Sequence, residues 1–230
     1  MKPIAPSDSA TLPSIAGLLL AAGGGRRLGG RPKALLEYAG RPLVEHALRG
    51  LHEAGCGPVH IVLGAAAGEV RERADLEGCV LVDNPDWAGG MGSSLRAGLR
   101  SLAETEAQRA GTGARAVVVA LVDQPGIGAG AVARVIHAYR DPASLAAAAY
   151  EGRRGHPVLF GADRWADIAD LATGDQGARE YLRLHQEAIT LVECGDIADP
   201  ADIDTPDDLH LLRAASEPRN EPAARRATKR

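Results

Sequence analysis

The sequence predicts an α/β fold built on a doubly wound, mainly parallel sheet with one antiparallel hairpin excursion. Three observations carry this expectation. Two strand-length runs, Ile15–Ala21 (IAGLLLA) and 116–122 (AVVVALV), are apolar throughout, as required of strands covered on both faces. Segments with apolar residues at helical spacing separate the strand-like runs. Beyond residue 144, two apolar runs flank EGRRGH (151–156), a Gly- and Arg-rich turn that suggests a hairpin. Strand–helix alternation of this kind argues for parallel crossover connections.

The elements follow in order. Ile15–Ala21 is the first strand and runs into a Gly-rich turn. A helix follows with Pro42 in its first turn, Val44, Ala47, Leu48 and Leu51 on one face, and Gly55 placed to end it. Val59–Leu63 is the second strand, 70–76 belongs to a helix, and 79–82 is a short third strand. Ser93 or Ser94 is positioned to cap a helix whose Leu95, Leu99 and Leu102 share a face. After the strand at 116–122, Val132, Val135, Ile136 and Tyr139 mark another helix. Helices at 163–171 and 177–185, a strand at 189–193 and a last helix from Pro206 complete the chain. In open α/β sheets ligands sit beyond the carboxyl ends of the strands. That places the expected site near residues 22–33, 84–94 and 123.

The 230 residues suit one domain over 14–214, with a lead-in at 1–13 and a basic tail at 215–230. A net charge of −4 offers no general attraction to nucleic acid or anionic membrane. Aromatic residues make up 3% of the chain, too few for a base-stacking platform along a strand. Cys56, Cys79 and Cys194 are scattered and form no metal-ligand spacing, so reduced thiols and a cytoplasmic location are expected. The N-terminus lacks the apolar core of a signal peptide, and no stretch approaches the ~20 apolar residues of a membrane span.

The chemistry concentrates in LAAGGGRRLGGRPK (20–33). Gly23, Gly24, Gly25, Gly29 and Gly30 let backbone amides approach an anion, while Arg26, Arg27, Arg31 and Lys33 supply positive charge. Such a loop suits a triphosphate. The P-loop pattern fails, because Gly30 and Arg31 stand where Lys and Ser/Thr belong. The dinucleotide fingerprint fails at Leu28, and the second strand is followed by Gly64 and Ala65 rather than an acid. Asp123 closes the apolar strand at the active edge of the sheet. Asp202 and Asp204 in DIDTP offer further hard oxygen ligands, while Thr205, Pro206, Asp207 and Asp208 read equally as a helix start.

The pattern L-A-A-G-x-x-x-R-L-G-x-x-x-K resembles the signature of the nucleotidyltransferases with a molybdenum-cofactor guanylyl/cytidylyltransferase-like fold. The similarity continues through NPDWAGGMGSSLRAGL (84–99), VDQPG (122–126), GHPVLF (155–160), GDQGAREYL (174–182) and DIDTPDDL (202–209), covering roughly residues 15–212. Within that family the resemblance is to the cytidylyl-transferring members, which attach CMP to the molybdopterin phosphate and release pyrophosphate. The resemblance implies a Rossmann-like nucleotidyltransferase fold, with Mg²⁺ held by Asp123 and Asp204. It also implies nucleotide binding by Leu20, Ala21, Ala22, Gly23, Gly24, Gly25, Arg27, Lys33, Ser93 and Ser94. Lys33, Arg27 and Asp123 are expected to carry the chemistry. His156 is placed either as a turn residue or as an acceptor contact, and Arg179 either binds the acceptor phosphate or decorates a helix. The loop departs from the family where Gly25 and Leu28 replace Ser and Met; Gly25 leaves only a backbone amide for phosphate.

CTP and a molybdopterin-type cofactor are the implied substrates, with a molybdenum enzyme or its chaperone as a possible partner. Two alternatives stay open: a transferase of the same fold with another phosphorylated acceptor, and a non-catalytic nucleotide-binding chaperone for a molybdenum enzyme.

Overall fold

The structure is a computed structural model that describes residues 14–108 and 113–212. The expected lead-in at 1–13 and tail at 215–230 lie outside the described residues. Seven strands form one sheet: β1 (Ile15–Ala21), β4 (Val59–Leu63), β5 (Val80–Asp83), β6 (Ala116–Leu121), β7 (Leu145–Tyr150), β8 (Arg153–Gly161) and β9 (Thr190–Glu193). Their order is β5-β4-β1-β6-β8-β7-β9. A separate two-stranded ribbon joins β2 (Glu37–Tyr38) to β3 (Arg41–Pro42).

Alternation along β1 shows how one apolar run serves two cores. Ile15, Leu19 and Ala21 point into a core shared with α1 (Leu43–Glu53), α2 (Ala67–Arg73) and α4 (Ala129–Ile136). Ala16, Leu18 and Leu20 point into the opposite core, with α3 (Met91–Gln108), α5 (Trp165–Leu171) and α6 (Arg179–Leu184). All seven residues of β1 are buried, so an uninterrupted apolar sequence is what the position demands.

Several expectations need correction. β6 pairs in parallel with β1 but antiparallel with β8, so the most apolar strand stands at the switch from parallel to antiparallel pairing. Burial on both faces is indifferent to the direction of the neighbours, which is why sequence pattern alone could not separate these cases. The hairpin turn is only Glu151–Gly152, and Arg153–His156 extend β8. α3 begins at Met91, which puts Ser93 and Ser94 inside its first turn rather than at its cap. Pro42 lies just ahead of α1 and pairs with Glu37. The β2–β3 ribbon, turning through Ala39 and Gly40 at positive φ, had no strand-length apolar run to announce it. The segment Pro206–Leu212 is a 3-10 helix, and its start is organised by Asp208: its carboxylate accepts from the Asp204 and Thr205 amides and the Thr205 hydroxyl.

α3 lies unusually close to β1. A Cβ on Gly98 would overlap Leu18, coming within 2.8 Å of its Cδ2, and Leu18 is fully buried. Gly98→Ala is therefore expected to destabilise the fold by on the order of 1–2 kcal/mol, since overpacking outweighs the gain in helix propensity. Urea unfolding measures this; equal or greater stability in the variant would show that Leu18 yields.

Candidate active site

The glycine loop leaves the carboxyl end of β1 and folds back on itself. Gly25 adopts φ 58°, and its carbonyl accepts from the Leu28 amide at 2.8 Å and the Gly30 amide at 3.0 Å. A Cβ on Gly25 would run into the Arg31 carbonyl, so steric closure of the loop explains glycine where the family carries serine. Arg26–Leu28 form a short 3-10 turn; Leu28 is buried beneath it while Arg26 and Arg27 stay exposed. Lys33 follows in a second such turn, anchored by buried Ala34 and Leu35.

Two carboxylates converge on Lys33. Asp123 lies just past β6, and Asp204 arrives from the far end of the chain because the Ile203 amide donates to the Asp123 carbonyl at 2.9 Å. Ile203 is fully buried and pins that crossing. The Lys33 ammonium donates to Asp123 Oδ2 at 2.7 Å and to Asp204 Oδ1 at 2.6 Å. Arg27 reaches Asp204 Oδ2 at 3.4 Å. Burial pulls the Lys33 pKa down, but the Asp123 charge and hydrogen bonds to both carboxylates outweigh it and hold the ammonium above the ordinary lysine range.

Two neighbouring cavities meet here. The smaller, about 420 Å³, is lined by Leu20, Ala22, Gly23–Arg27, Lys33, Trp87, Ser94, Asp123 and Asp204, among others. The larger, about 1040 Å³, is walled by β8, α6 and the 195–202 segment, and includes His156, Arg179 and Asp202. Leu20, Met91, Leu121 and Asp175 line both. Of the loop and helix residues expected around the nucleotide, Ala21 and Ser93 do not line the smaller cavity. Ala21 faces the core beneath α1, and Ser93 is buried within hydrogen-bonding distance of Asn84 Nδ2 and the Gly90 carbonyl. Ser94, also bonded to Asn84, keeps a place on the wall.

In the larger cavity, loss of water drives the His156 pKa down to about 4, despite the nearby Asp123 charge. His156 is therefore a neutral imidazole at physiological pH, suited to hydrogen bonding but not to neutralising phosphate. Arg153, Arg154 and Arg179 are the cations on this wall. Surrounding protein and the Asp123 charge push the Asp202 carboxyl up, although Asp202 opens onto the cavity. Asp204 thus belongs with the Lys33 cluster and Asp202 with the larger cavity, a division that DIDTP alone did not reveal. Asp175, Met91, Gln124 and Trp87 are wall residues that the sequence reading did not single out, although 84–94 was placed near the site; a Trp in a chain so poor in aromatics was the available signal.

No described helix is long and apolar enough to cross a membrane. All three cysteines are free, and burial raises the Cys56 thiol to about 12.

The chain is similar to known proteins. The chain is 42% identical over 208 residues to nicotine blue oxidoreductase of Paenarthrobacter nicotinovorans, covering 87% of this chain and 97% of that protein. It is 35% identical over 147 residues to molybdenum cofactor guanylyltransferase of Mesorhizobium japonicum, or 63% of this chain and 65% of that protein. The structure of Rv0371C from Mycobacterium tuberculosis in complex with manganese superposes with a TM-score of 0.68 at 27% identity, covering 86% of this chain and 97% of the other. Residues 17–189, from the first strand through the glycine loop to the approach of β9, match the MobA-like NTP transferase domain, and the chain belongs to that family.

Proposed function

We propose that the protein is a Mg²⁺-dependent cytidylyltransferase that moves CMP from CTP to the phosphate of a molybdopterin-type cofactor. The observation that supports this most directly is the pair of adjoining cavities, with Lys33, Asp123 and Asp204 in the smaller and shared walls leading to the larger. A group transfer between two substrates needs two such compartments meeting at the reacting bond.

Asp123 and Asp204 are suited to the ion. Their oxygens both lie within 2.7 Å of one ammonium nitrogen, close enough together to serve one cation, and a pair of carboxylates completed by substrate phosphates is the usual protein contribution to Mg²⁺. The manganese bound in the Rv0371C structure supports a divalent ion in this fold. When bound, the ion supplies charge neutralisation to the phosphates. The chain does the rest. An acceptor phosphate oxygen forms a bond to the α-phosphorus as the bond from that phosphorus to pyrophosphate breaks; no enzyme nucleophile is consumed. The amides of 23–25 and the Arg27 and Lys33 cations hold the triphosphate and offset charge at the α-phosphoryl. Arg179, with neutral His156 on the same cavity wall as a hydrogen-bonding group, orients the acceptor. Release of pyrophosphate from CTP, dependent on magnesium and acceptor, tests the proposal.

Base choice follows from Ala22 and Ser94 on the wall of the smaller cavity. On this reading the side chain at position 22 leaves that wall narrower by one methyl than a glycine would, which suits a pyrimidine better than a purine. One methyl is worth about 1–3 kcal/mol and mismatched polar groups add more, so kcat/KM for CTP is expected to exceed that for GTP by at least ~10²-fold. Equal use of both nucleotides would refute the cytidylyl assignment while sparing nucleotidyl transfer.

The 42% identity to nicotine blue oxidoreductase supports a second reading, an oxidoreductase on the same scaffold. Electron transfer has no need of two carboxylates gathered at a phosphate loop, which favours the first. Pyrophosphate release set against oxidation of a reduced nicotinamide nucleotide decides between them.

A further inference from the structure

Trp87 joins the phosphate loop to the segment that enters α3. It is the only aromatic side chain on the smaller cavity among the described residues, and it is partly exposed there, whereas Trp165 is buried with its indole N–H donated to the Phe160 carbonyl at 3.1 Å. Two glycines make room for it. A Cβ on Gly64 would stand 2.6 Å from Trp87 Cβ, and one on Gly24 would stand 3.2 Å from Cζ3 and 3.4 Å from Cη2. The Arg26 guanidinium lies over the indole, 5.8 Å from the ring centroid, within range of a cation–π attraction. The indole therefore touches the loop at Gly24 and holds the arginine two residues on. Both contacts fall on the stretch that faces the triphosphate.

We infer that Trp87 is a positioning residue for the nucleotide: its indole sets the place of the glycine loop and of Arg26, and so governs triphosphate affinity. This rests on the smaller cavity being the nucleotide site. Gly24 has no positive φ that would forbid a side chain, so what a Cβ there would press on is the indole, at 3.2 and 3.4 Å, together with the Ala65 methyl at 3.3 Å. Trp87→Phe removes the ring atoms that Gly24 meets while keeping an aromatic face for Arg26. Trp87→Ala removes both.

The test is CTP binding by calorimetry alongside tryptophan emission, with pyrophosphate release measured on the same samples. Trp87→Ala is expected to weaken CTP about tenfold or more, the scale of a lost charge-assisted contact, with most of the kinetic effect in KM. Trp87→Phe, which keeps a face for Arg26 but loses the contact at Gly24, should recover only part of that affinity. Gly24→Ala should weaken binding in the parent chain and much less in the Trp87→Phe background, the coupling a double-mutant cycle isolates. CTP should change the emission of the parent and of Trp165→Phe, but not of Trp87→Phe. A Trp87→Ala variant that binds CTP within twofold of the parent would overturn the inference. So would additive effects of Gly24→Ala and Trp87→Phe, or an emission change that survives Trp87→Phe. If the parent chain binds none of the four nucleoside triphosphates, the nucleotide assignment of the cavity falls, and the inference with it.

Discussion

Asp123→Asn is expected to remove all but a small fraction of nucleotidyl transfer while leaving the chain folded. The backbone contact that pins the site, from the Ile203 amide to the Asp123 carbonyl, does not involve the side chain. Nor is Lys33 stranded by the change, because Asp204 remains 2.6 Å from its ammonium. The loss falls on the chemistry. A neutral amide is a much poorer ligand for a hard divalent ion than a carboxylate, and metal stabilisation of a transferring phosphoryl group is worth several kcal/mol of barrier. A drop of at least ~10²-fold in kcat is the expected reading, with an unfolding midpoint close to the parent's. If the purified variant kept more than about a tenth of parental activity, a loss under ~1.4 kcal/mol, Asp123 would have no such role.

Lys33→Ala should lower kcat by on the order of 10²–10³, as for the loss of one preorganised electrostatic donor, with a much smaller effect on ground-state binding of CTP. A change confined to KM would make Lys33 a uniform binding contact. The variant also carries a stability signature. The raised folded pKa means that the ion-pair contribution is complete below the unfolded lysine value near ~10.4 and is lost as pH rises through the folded value. The parent should therefore lose stability through this group as pH rises from the unfolded lysine value to the folded one. Lys33→Ala, in which Asp123 and Asp204 face each other without the shared ammonium, should be less stable at neutral pH and lack that alkaline loss. Unfolding midpoints measured across pH 7 to 11 would show the two curves converging; parallel curves would mean the ion pair is not a net stabiliser.

The sequence by itself determined most of the elements and the place of the glycine-rich loop at the end of the first strand. Apolar runs at Ile15–Ala21 and Val59–Leu63 became strands with the expected bounds, because residues buried on both faces of a sheet leave a continuous signal. Leu95, Leu99 and Leu102 became a buried helix face for the same reason at helical period. The glycines and cations of 20–33 were legible because dense glycine after a buried strand has few other uses. Tertiary structure alone decided the rest. Strand direction around β6 was hidden, since burial carries no information about parallel or antiparallel neighbours. The separation of Asp202 from Asp204 depended on buried Ile203 fixing the crossing at Asp123, a contact between segments 80 residues apart. Ser93, unlike Ser94, is held away from the cavity with its hydroxyl within donating distance of the Asp86 and Gly90 carbonyls. Trp87 gained its place from glycines at 24 and 64 in two separate loops. Local pattern records which face of an element is buried; a site assembled from distant segments is recorded only in the contacts that bring those segments together.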